Sequence, residues 1–256
     1  MVHFEVQFLV EMKRKHVVQL SNIEDKTLFQ FAKMPHFNYW LYEQIKPYCS
    51  GHILELGSGI GNISRYLIAD FSRVALSDVN KEYILHLRNT FHDHPHVTGI
   101  FPLDLNLNTD EIYFKFQNTR FDTVVATNVL EHIQDDDHAI HICRYLLAES
   151  GRLIILVPTY PRLFNHIDQR LHHFRRYRYQ DIRHLIDSHG GKIIKHFYFN
   201  VAGLLGWWVN GTLLHKPYLS SLLLDIYERF IPMFKLFDRL LFNMVGISLI
   251  CVISFD

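Results

Sequence analysis

The sequence predicts an α/β protein with a Rossmann-like, doubly wound, mostly parallel seven-stranded sheet, helices on both faces and an antiparallel last strand. Three observations lead there. Between residues 52 and 158 short apolar runs alternate with helical patterns, the order that buries a parallel sheet between two helical layers. A G-x-G-x-G turn, Gly57-Ser58-Gly59-Ile60-Gly61, follows the first apolar run and opens a helical stripe. A last apolar run, Ile247 to Phe255, closes the chain as a buried strand.

Taken in order, the strands fall at 53–57, 73–77, 97–101, 121–126 and 152–157. Helices fit 61–70, 80–91 and 136–148, the last stopped by Ser150-Gly151. Ahead of the first strand, Glu24 to Lys46 gives one or two helices placed to cover the glycine turn. Residues 1–22 form an extension in which Val2, Phe4, Val6, Phe8 and Val10 alternate with His3, Glu5 and Gln7, read as an edge strand or a loose segment. Beyond Pro158 come a basic, aromatic stretch from Tyr160 to Tyr179, a helix near 180–189 ended by Gly190-Gly191, and a strand at 192–199. An apolar stretch then leads to an amphipathic helix with Leu219, Leu223, Ile226 and Phe230 on one face. No Pro- or Ser-rich linker divides the chain. It reads as one domain over 23–256, with a ligand-binding half at 52–158 and a second half at 159–256.

With 256 residues, 48% of them apolar, the chain has material for a large core. The 26 basic and 26 acidic residues cancel, which removes the bulk electrostatic case for a nucleic-acid partner. Cys49, Cys143 and Cys251 are odd in number and far apart; this argues against a disulfide framework and fits a reducing, cytoplasmic setting. The basic run Lys13-Arg14-Lys15 follows the first apolar residues instead of preceding them, unlike an export signal. Phe197 to His215 carries no formal charge and is about long enough to span a bilayer. Asn200, Asn210, Thr212 and glycines 203, 206 and 211 interrupt it, so a buried or interfacial segment is preferred, with peripheral contact at the inner membrane face through 197–214. The run His92-Asp93-His94-Pro95-His96 falls between a helix and the third strand, away from the expected crevice, and reads as a solvated loop.

The chemistry centres on the turn. Glu55 stands two places before Gly57, and the third glycine comes one residue earlier than in a dinucleotide fingerprint. A carboxylate aimed at the turn repels a pyrophosphate but suits a ligand bearing an ammonium group. Asp78 follows the second strand, where an acid accepts hydrogen bonds from both ribose hydroxyls. Asp104, after the third strand, either takes the exocyclic amine of adenine while Leu105 supports the base, or is a turn acid. After the fourth strand, FDTVVATNVLEH places Asn128, Glu131 and His132 at the sheet's carboxyl edge.

ELGSGIG, SDVN, LDLN and FDTVVATNVLEHI, in that order over about residues 36–158, resemble class I S-adenosylmethionine-dependent methyltransferases. The second half, with VPTYPRLFNHIDQRLHHFRRYRYQDI, GWWVNG and GISLICVISF, is similar to a bacterial type-11/12 subgroup in which a D-x3-GHxRRY segment follows the fifth strand. His172 replaces the subgroup's glycine, so the turn before His173 is expected to differ. The resemblance implies S-adenosylmethionine as cofactor, lined by Glu55, Gly57, Gly59, Asp78, Asp104 and Asn128, a set completed by Ser58, Gly61, Val79, Leu105 and Leu130. Asn38 and Tyr39 of HFNYW would belong to the covering segment, and His173, Arg175, Arg176 and Tyr177 to the acceptor side.

The expected reaction is in-line methyl transfer to a small or lipid- or sugar-linked acceptor. His173, with His132 second, is the candidate base, because imidazole titrates near neutrality. Arg175, Arg176 and Tyr177 concentrate donors beside the fifth strand, with the acceptor Asp168 close in sequence: either the arginines recognise an anionic acceptor, or one of them pairs with Asp168 or Glu131 and pins the loop. No metal is expected, since Glu131-His132 offers one carboxylate and one imidazole, and Asn128 stands where some quinone-pathway O-methyltransferases carry the first glutamate of E-x-x-E-H. The rival readings are an NAD-dependent oxidoreductase, a non-catalytic binding or regulatory protein on the same scaffold, and an RNA methyltransferase. HHFRRYRY favours the last, but the N/D-P-P-Y/F signature is absent.

Overall fold

A computed structural model describes residues 23–107, 109–216 and 220–255. The alternating extension at 1–22, and Leu219 of the amphipathic face, lie outside the described residues.

Seven strands, β1 (Ile53–Leu56), β2 (Val74–Asp78), β3 (Val97–Pro102), β4 (Phe121–Thr127), β5 (Leu147–Pro158), β6 (Lys192–Phe199) and β7 (Ser248–Ser254), form one sheet in the order β3-β2-β1-β4-β5-β7-β6. The first five pair in parallel; β7 lies antiparallel between β5 and β6. The inner strands are apolar runs because both their faces are covered. Alternate residues sort to opposite sides. Leu54, Leu56, Val124, Ala126, Leu153 and Ile155 pack against α5 (Thr109–Lys115), α6 (Asp136–Leu146) and α8 (Tyr179–Ser188). Ile53, Val74, Leu76, Val125, Ile154 and Leu156 pack against α2 (Pro35–Ile45), α3 (Ser64–Asp70) and α4 (Lys81–Phe91). All three cysteines are buried and free.

Several expected boundaries shift for physical reasons. The 136–148 helix ends at Leu146, and β5 begins at once, Leu147 pairing with Phe121 before the register shifts. Ser150 takes a left-handed φ of 60° inside this extension. Helix α5, which buries Ile112, is not among the elements the sequence predicts. The Phe197–His215 stretch divides into the end of β6, a short helix α9 (Val201–Trp207) and a π-helical turn at Trp208–Leu213. The amphipathic pattern after it belongs to two helices, α10 (Ser221–Arg229) and α11 (Ile231–Leu240), parted at Phe230. Pro232 causes the break: without an N–H it fits the first turn of a new helix, not the interior of a continuous one. Among the described residues no helix is long and apolar enough to cross a membrane.

Strand order reverses beside β1, which has β2 on one side and β4 on the other. A doubly wound sheet opens a crevice at the carboxyl ends of its strands at that point.

Candidate active site

A cavity of about 710 Å³ opens there, walled by the ends of β1, β2 and β4 and covered by the helices before β1. The turn Gly57–Gly61 forms its floor. Gly57, Gly59 and Gly61 all have positive φ (66°, 55° and 86°), a conformation that a side chain disfavours. Space is closed as well: a Cβ at Gly57 would meet Val129 at 2.6 Å, and one at Gly61 would meet the Phe91 ring at 2.5 Å. The turn is locked to the neighbouring strand. Asp78 accepts the Gly59 N–H (2.8 Å) through Oδ2 and the Asn80 N–H (2.8 Å) through Oδ1, and Ser58 N–H donates to Ser77 O (2.8 Å). Leu28 and Phe31 of α1 (Ile23–Ala32), with Met34, Phe37 and Asn38, close the cavity from above. The Asn38 amide donates to Phe31 O (2.7 Å) and so holds the two covering helices together.

Two carboxylates are buried at this end. Glu55 accepts from the Ser64 hydroxyl, and burial pushes its pKa up to about 7; the Ser64 and Ser58 hydroxyls oppose the shift and the Asp78 charge adds to it. Burial raises Asp78 too, against the pull of the Asn80, Gly59 and Val79 N–H groups. An apolar-walled site holding two buried acids favours a positively charged guest. Asp104 and Leu105 line the same cavity, and Asp104 Oδ1 accepts the Asn106 N–H at 2.8 Å.

At the other end the wall is built on one carboxylate. Asp168 of α7 (His166–Arg170) is fully buried and takes four donors: His173 Nδ1 (2.9 Å) and Arg176 Nε (2.8 Å) on Oδ1, and Asn165 N–H (3.0 Å) and Trp207 Nε1 (3.2 Å) on Oδ2. Burial alone would raise its pKa. The His173 hydrogen bond and the Arg176 charge hold it below the ordinary carboxylate range. Arg176 also donates to Thr159 O (3.0 Å) and lies 4.7 Å over the Trp207 ring. An ionised Asp168 only accepts, so the His173 proton sits on Nδ1 and Nε2 is left as the acceptor. His173 and Trp207 both line the cavity, with Phe174, Leu223 and Tyr227. His132 meets the His173 ring edge to face at 4.7 Å, and burial, with the neighbouring His173 and His172, lowers its pKa to about 4.

Residues 54–153 match the model of a methyltransferase domain family. The match takes in 100 of the 256 residues, and over them the chain is similar to a methyltransferase domain. Solved structures share its fold. The magnesium protoporphyrin IX methyltransferase of Synechocystis, solved with S-adenosylmethionine, is 13% identical and superposes with a TM-score of 0.54, covering 99% of this chain and 94% of that one. The N-methyltransferase of Bradyrhizobium japonicum, solved with S-adenosylhomocysteine, is 14% identical with a TM-score of 0.54 and 98% of each chain covered. Among curated proteins, a highly reducing polyketide synthase of Pyrenophora dematioidea is 29% identical over 117 residues, and the polyketide synthase component of the lovastatin nonaketide synthase of Aspergillus terreus is 27% identical over 135. These stretches cover 42% and 51% of this chain, and each is 4% of the much longer synthase.

The fold brings most of the sequence-derived candidates to the cavity and leaves others away from it. Asn38, Glu55, Gly57, Ser58, Gly59, Asp78, Val79, Asp104, Leu105, Asn128, His132, His173 and Arg176 line the cavity. Gly61 sits beneath it, admitting Phe91 of α4. Leu130 is buried in the core on the α6 face, and Tyr39 packs against Tyr42 and Tyr66. Asp168, Arg175 and Tyr177 stand behind the wall. Arg175 pairs with Asp136 (2.9 Å) and donates to Gln134 O, while the Tyr177 hydroxyl lies 3.0 Å from Asp136 and 3.2 Å from Leu130 O. Arg175 is thus paired with Asp136 and Arg176 with Asp168. His172 adopts the left-handed φ of 54°, so the turn keeps a glycine-like shape despite its side chain.

The sequence offers Trp207, in the apolar 197–214 segment, as part of a roof over an acceptor or as a buried helix cap, and the cavity includes it; Leu223 and Tyr227, from a helix far along the chain, are lining residues that sequence reasoning missed. It also counted only two metal-binding groups at Glu131-His132. The fold adds His173: one ligand atom from each of the three lies within 4.8 Å of the others, and Glu131 Oε2 has no hydrogen-bond partner. A carboxylate with two imidazoles is the donor set of a borderline cation, but the His173 Nδ1 is already committed to Asp168.

Proposed function

We propose that this protein transfers a methyl group from S-adenosylmethionine to a hydroxyl on a largely apolar acceptor. The two buried carboxylates that line the crevice, Glu55 and Asp78, carry this reading. Its cofactor is S-adenosylmethionine, which, when bound, supplies a methyl carbon activated by a sulfonium. Glu55 would meet the ammonium group, Asp78 the ribose hydroxyls, and Asp104 with Leu105 the adenine. The acceptor hydroxyl loses its proton to Nε2 of His173 as its oxygen gains the methyl. Asp168 orients the ring and stabilises the imidazolium. Glu131, buried among His173 and Arg176 with a pKa raised to about 7, adds negative charge there once His173 is protonated. With Arg175 and Arg176 engaged by Asp136 and Asp168, little favours an anionic acceptor; the apolar wall of Phe174, Trp207 and Leu223 favours an apolar one.

Calorimetry with S-adenosylhomocysteine and with NAD tests the cofactor, and transfer of labelled methyl into candidate acceptors tests turnover. Binding of NAD in place of S-adenosylhomocysteine would overturn the reading, and binding without any transfer would leave a regulatory protein. Asp78→Ala is expected to weaken S-adenosylhomocysteine by about a hundredfold, since two charge-assisted hydrogen bonds contribute about 3 kcal/mol together. Unchanged affinity in that variant removes Asp78 from the site.

The pH dependence follows from Glu55. Its folded pKa is raised, so its contribution to stability is present below the unfolded value near 4.5 and is lost as pH rises through about 7. A ligand ammonium binds the ionised form, so affinity runs the other way. It is expected to tighten about tenfold per pH unit up to about 7 and to level off above. Titrations between pH 5.5 and 7.5 check this, and Glu55→Gln should flatten the curve. A wild-type affinity independent of pH would exclude the Glu55–ammonium pairing.

A further inference from the structure

Helices α10 and α11 turn apolar residues inward, among them Leu224 and Ile231, and carry a second set of apolar residues outward. On α11, Met233, Leu236, Phe237 and Leu240, spaced i, i+3, i+4, i+7, are all exposed. Leu222 and Ile226 on α10 continue the face, and Phe242 beyond α11 is 83% exposed. The polar groups of the same helices point in and serve as anchors. Buried Asp238 accepts the N–H groups of Asn200 (2.6 Å) and Val201 (2.9 Å), Glu228 accepts those of His36 (2.5 Å) and Phe37 (3.1 Å), and Lys235 pairs with Glu43 at 2.5 Å. Folding therefore engages Glu228, Lys235 and Asp238 with the domain and leaves the outer apolar residues in water. The adjoining segment adds exposed Leu205, Trp208 and Leu213.

The charge left on the outside is basic. Lys216, Arg229 and Arg239 are exposed, whereas Glu228 and Asp238 are turned inward and Asp225 is the exposed acid of these helices. A second copy of this face would offer little to neutralise those cations; an anionic headgroup layer matches them, with the apolar residues entering the acyl boundary. The same helix has a second duty, since Leu223, Leu224 and Tyr227 on the inner side of α10 line the catalytic cavity. One helix thickness, about 10 Å, separates the outer apolar face from the site.

We propose that α10 and α11 seat the protein on an anionic lipid surface, and that its methyl acceptor is an amphiphile drawn from that surface into the cavity. The second clause rests on the methyl-transfer reading; the first does not. The seat extends the contact expected at 197–214 to the helices that follow it.

Flotation of the full chain with phosphatidylcholine vesicles, with and without phosphatidylglycerol, tests the seat. Retention on the phosphatidylglycerol vesicles is expected, and Leu236→Glu/Leu240→Glu should cut the bound fraction tenfold or more without changing S-adenosylhomocysteine affinity. Failure of the wild type to float, or undiminished flotation of the double variant, overturns the proposal. So does a wild-type dimer in sedimentation that the double variant dissolves, which would make a second copy the occupant. Flotation without S-adenosylhomocysteine binding would keep the lipid seat and remove the methyl-transfer reading. With both intact, labelled methyl is expected in the lipid phase of vesicles made from extracted membrane glycolipids; label confined to the aqueous phase overturns the amphiphilic acceptor.

Discussion

Replacing His173 by alanine is expected to lower turnover by about two to four orders of magnitude and to leave S-adenosylhomocysteine affinity within about threefold of wild type. The expectation rests on the ring's support. Asp168 is held ionised by four donors, so it can neither give a proton to His173 nor turn away from it. One tautomer is thereby selected, with the accepting nitrogen free for substrate. His132, 4.7 Å away and with its pKa lowered to about 4, is neutral at working pH and a poor substitute base. The split between kcat and KM provides the second readout: kcat should fall while the KM for S-adenosylmethionine stays near the wild-type value. Full turnover in the variant would mean that the acceptor needs no base, and a loss traced wholly to cofactor affinity would place His173 in binding.

The second large effect concerns stability. Arg176→Ala is expected to destabilise the fold by about 3–5 kcal/mol, lowering the melting temperature by roughly 10 °C. The guanidinium is buried and satisfied three times over, by Asp168, by Thr159 O and by the Trp207 ring, so its removal strands a buried carboxylate. Arg176→Lys should recover little, because an ammonium cannot reproduce the paired Nε and Nη1 geometry. Combining Arg176→Ala with Asp168→Ala should cost less than the sum of the two, since the pair acts as a unit. A variant that melts like wild type but has lost turnover would return Arg176 to acceptor recognition.

The glycine-turn end of the cavity was legible in the sequence because its parts are local. Glu55, the glycines, Asp78 and Asp104 each sit at or just after a strand end, and a strand end in a parallel sheet has a known position. Motif membership says less about direction. Gly61, Leu130 and Tyr39 belong to the right segments, yet they face a helix, the core and a cluster of tyrosines. The acceptor end was harder, because Trp207, Leu223 and Tyr227 reach it through packing between elements distant in the chain. One signal there was readable. Asn165 and Asp168 form a capping box at the start of α7, which already commits Asp168 to the protein and not to a substrate. The outward apolar face of α11 was hidden for a related reason: periodicity reveals that a helix has two sides, and only the buried Asp238 reveals which one faces the domain.

The position of β7 bears on how the molecule comes to be built during synthesis. Among the described residues β6 pairs with β7 alone, and β7 is also the second neighbour of β5, although it follows both in the chain. As the polypeptide leaves the ribosome, β1 to β5 can assemble by short crossovers, while β5 keeps one open edge and β6 has nowhere to dock until residues 248–254 arrive. The nascent chain thus passes through a stage in which the covering helices and β1 to β5 are already made while β6 is unpaired and β5 has an open edge, the stage most exposed to capture by another strand.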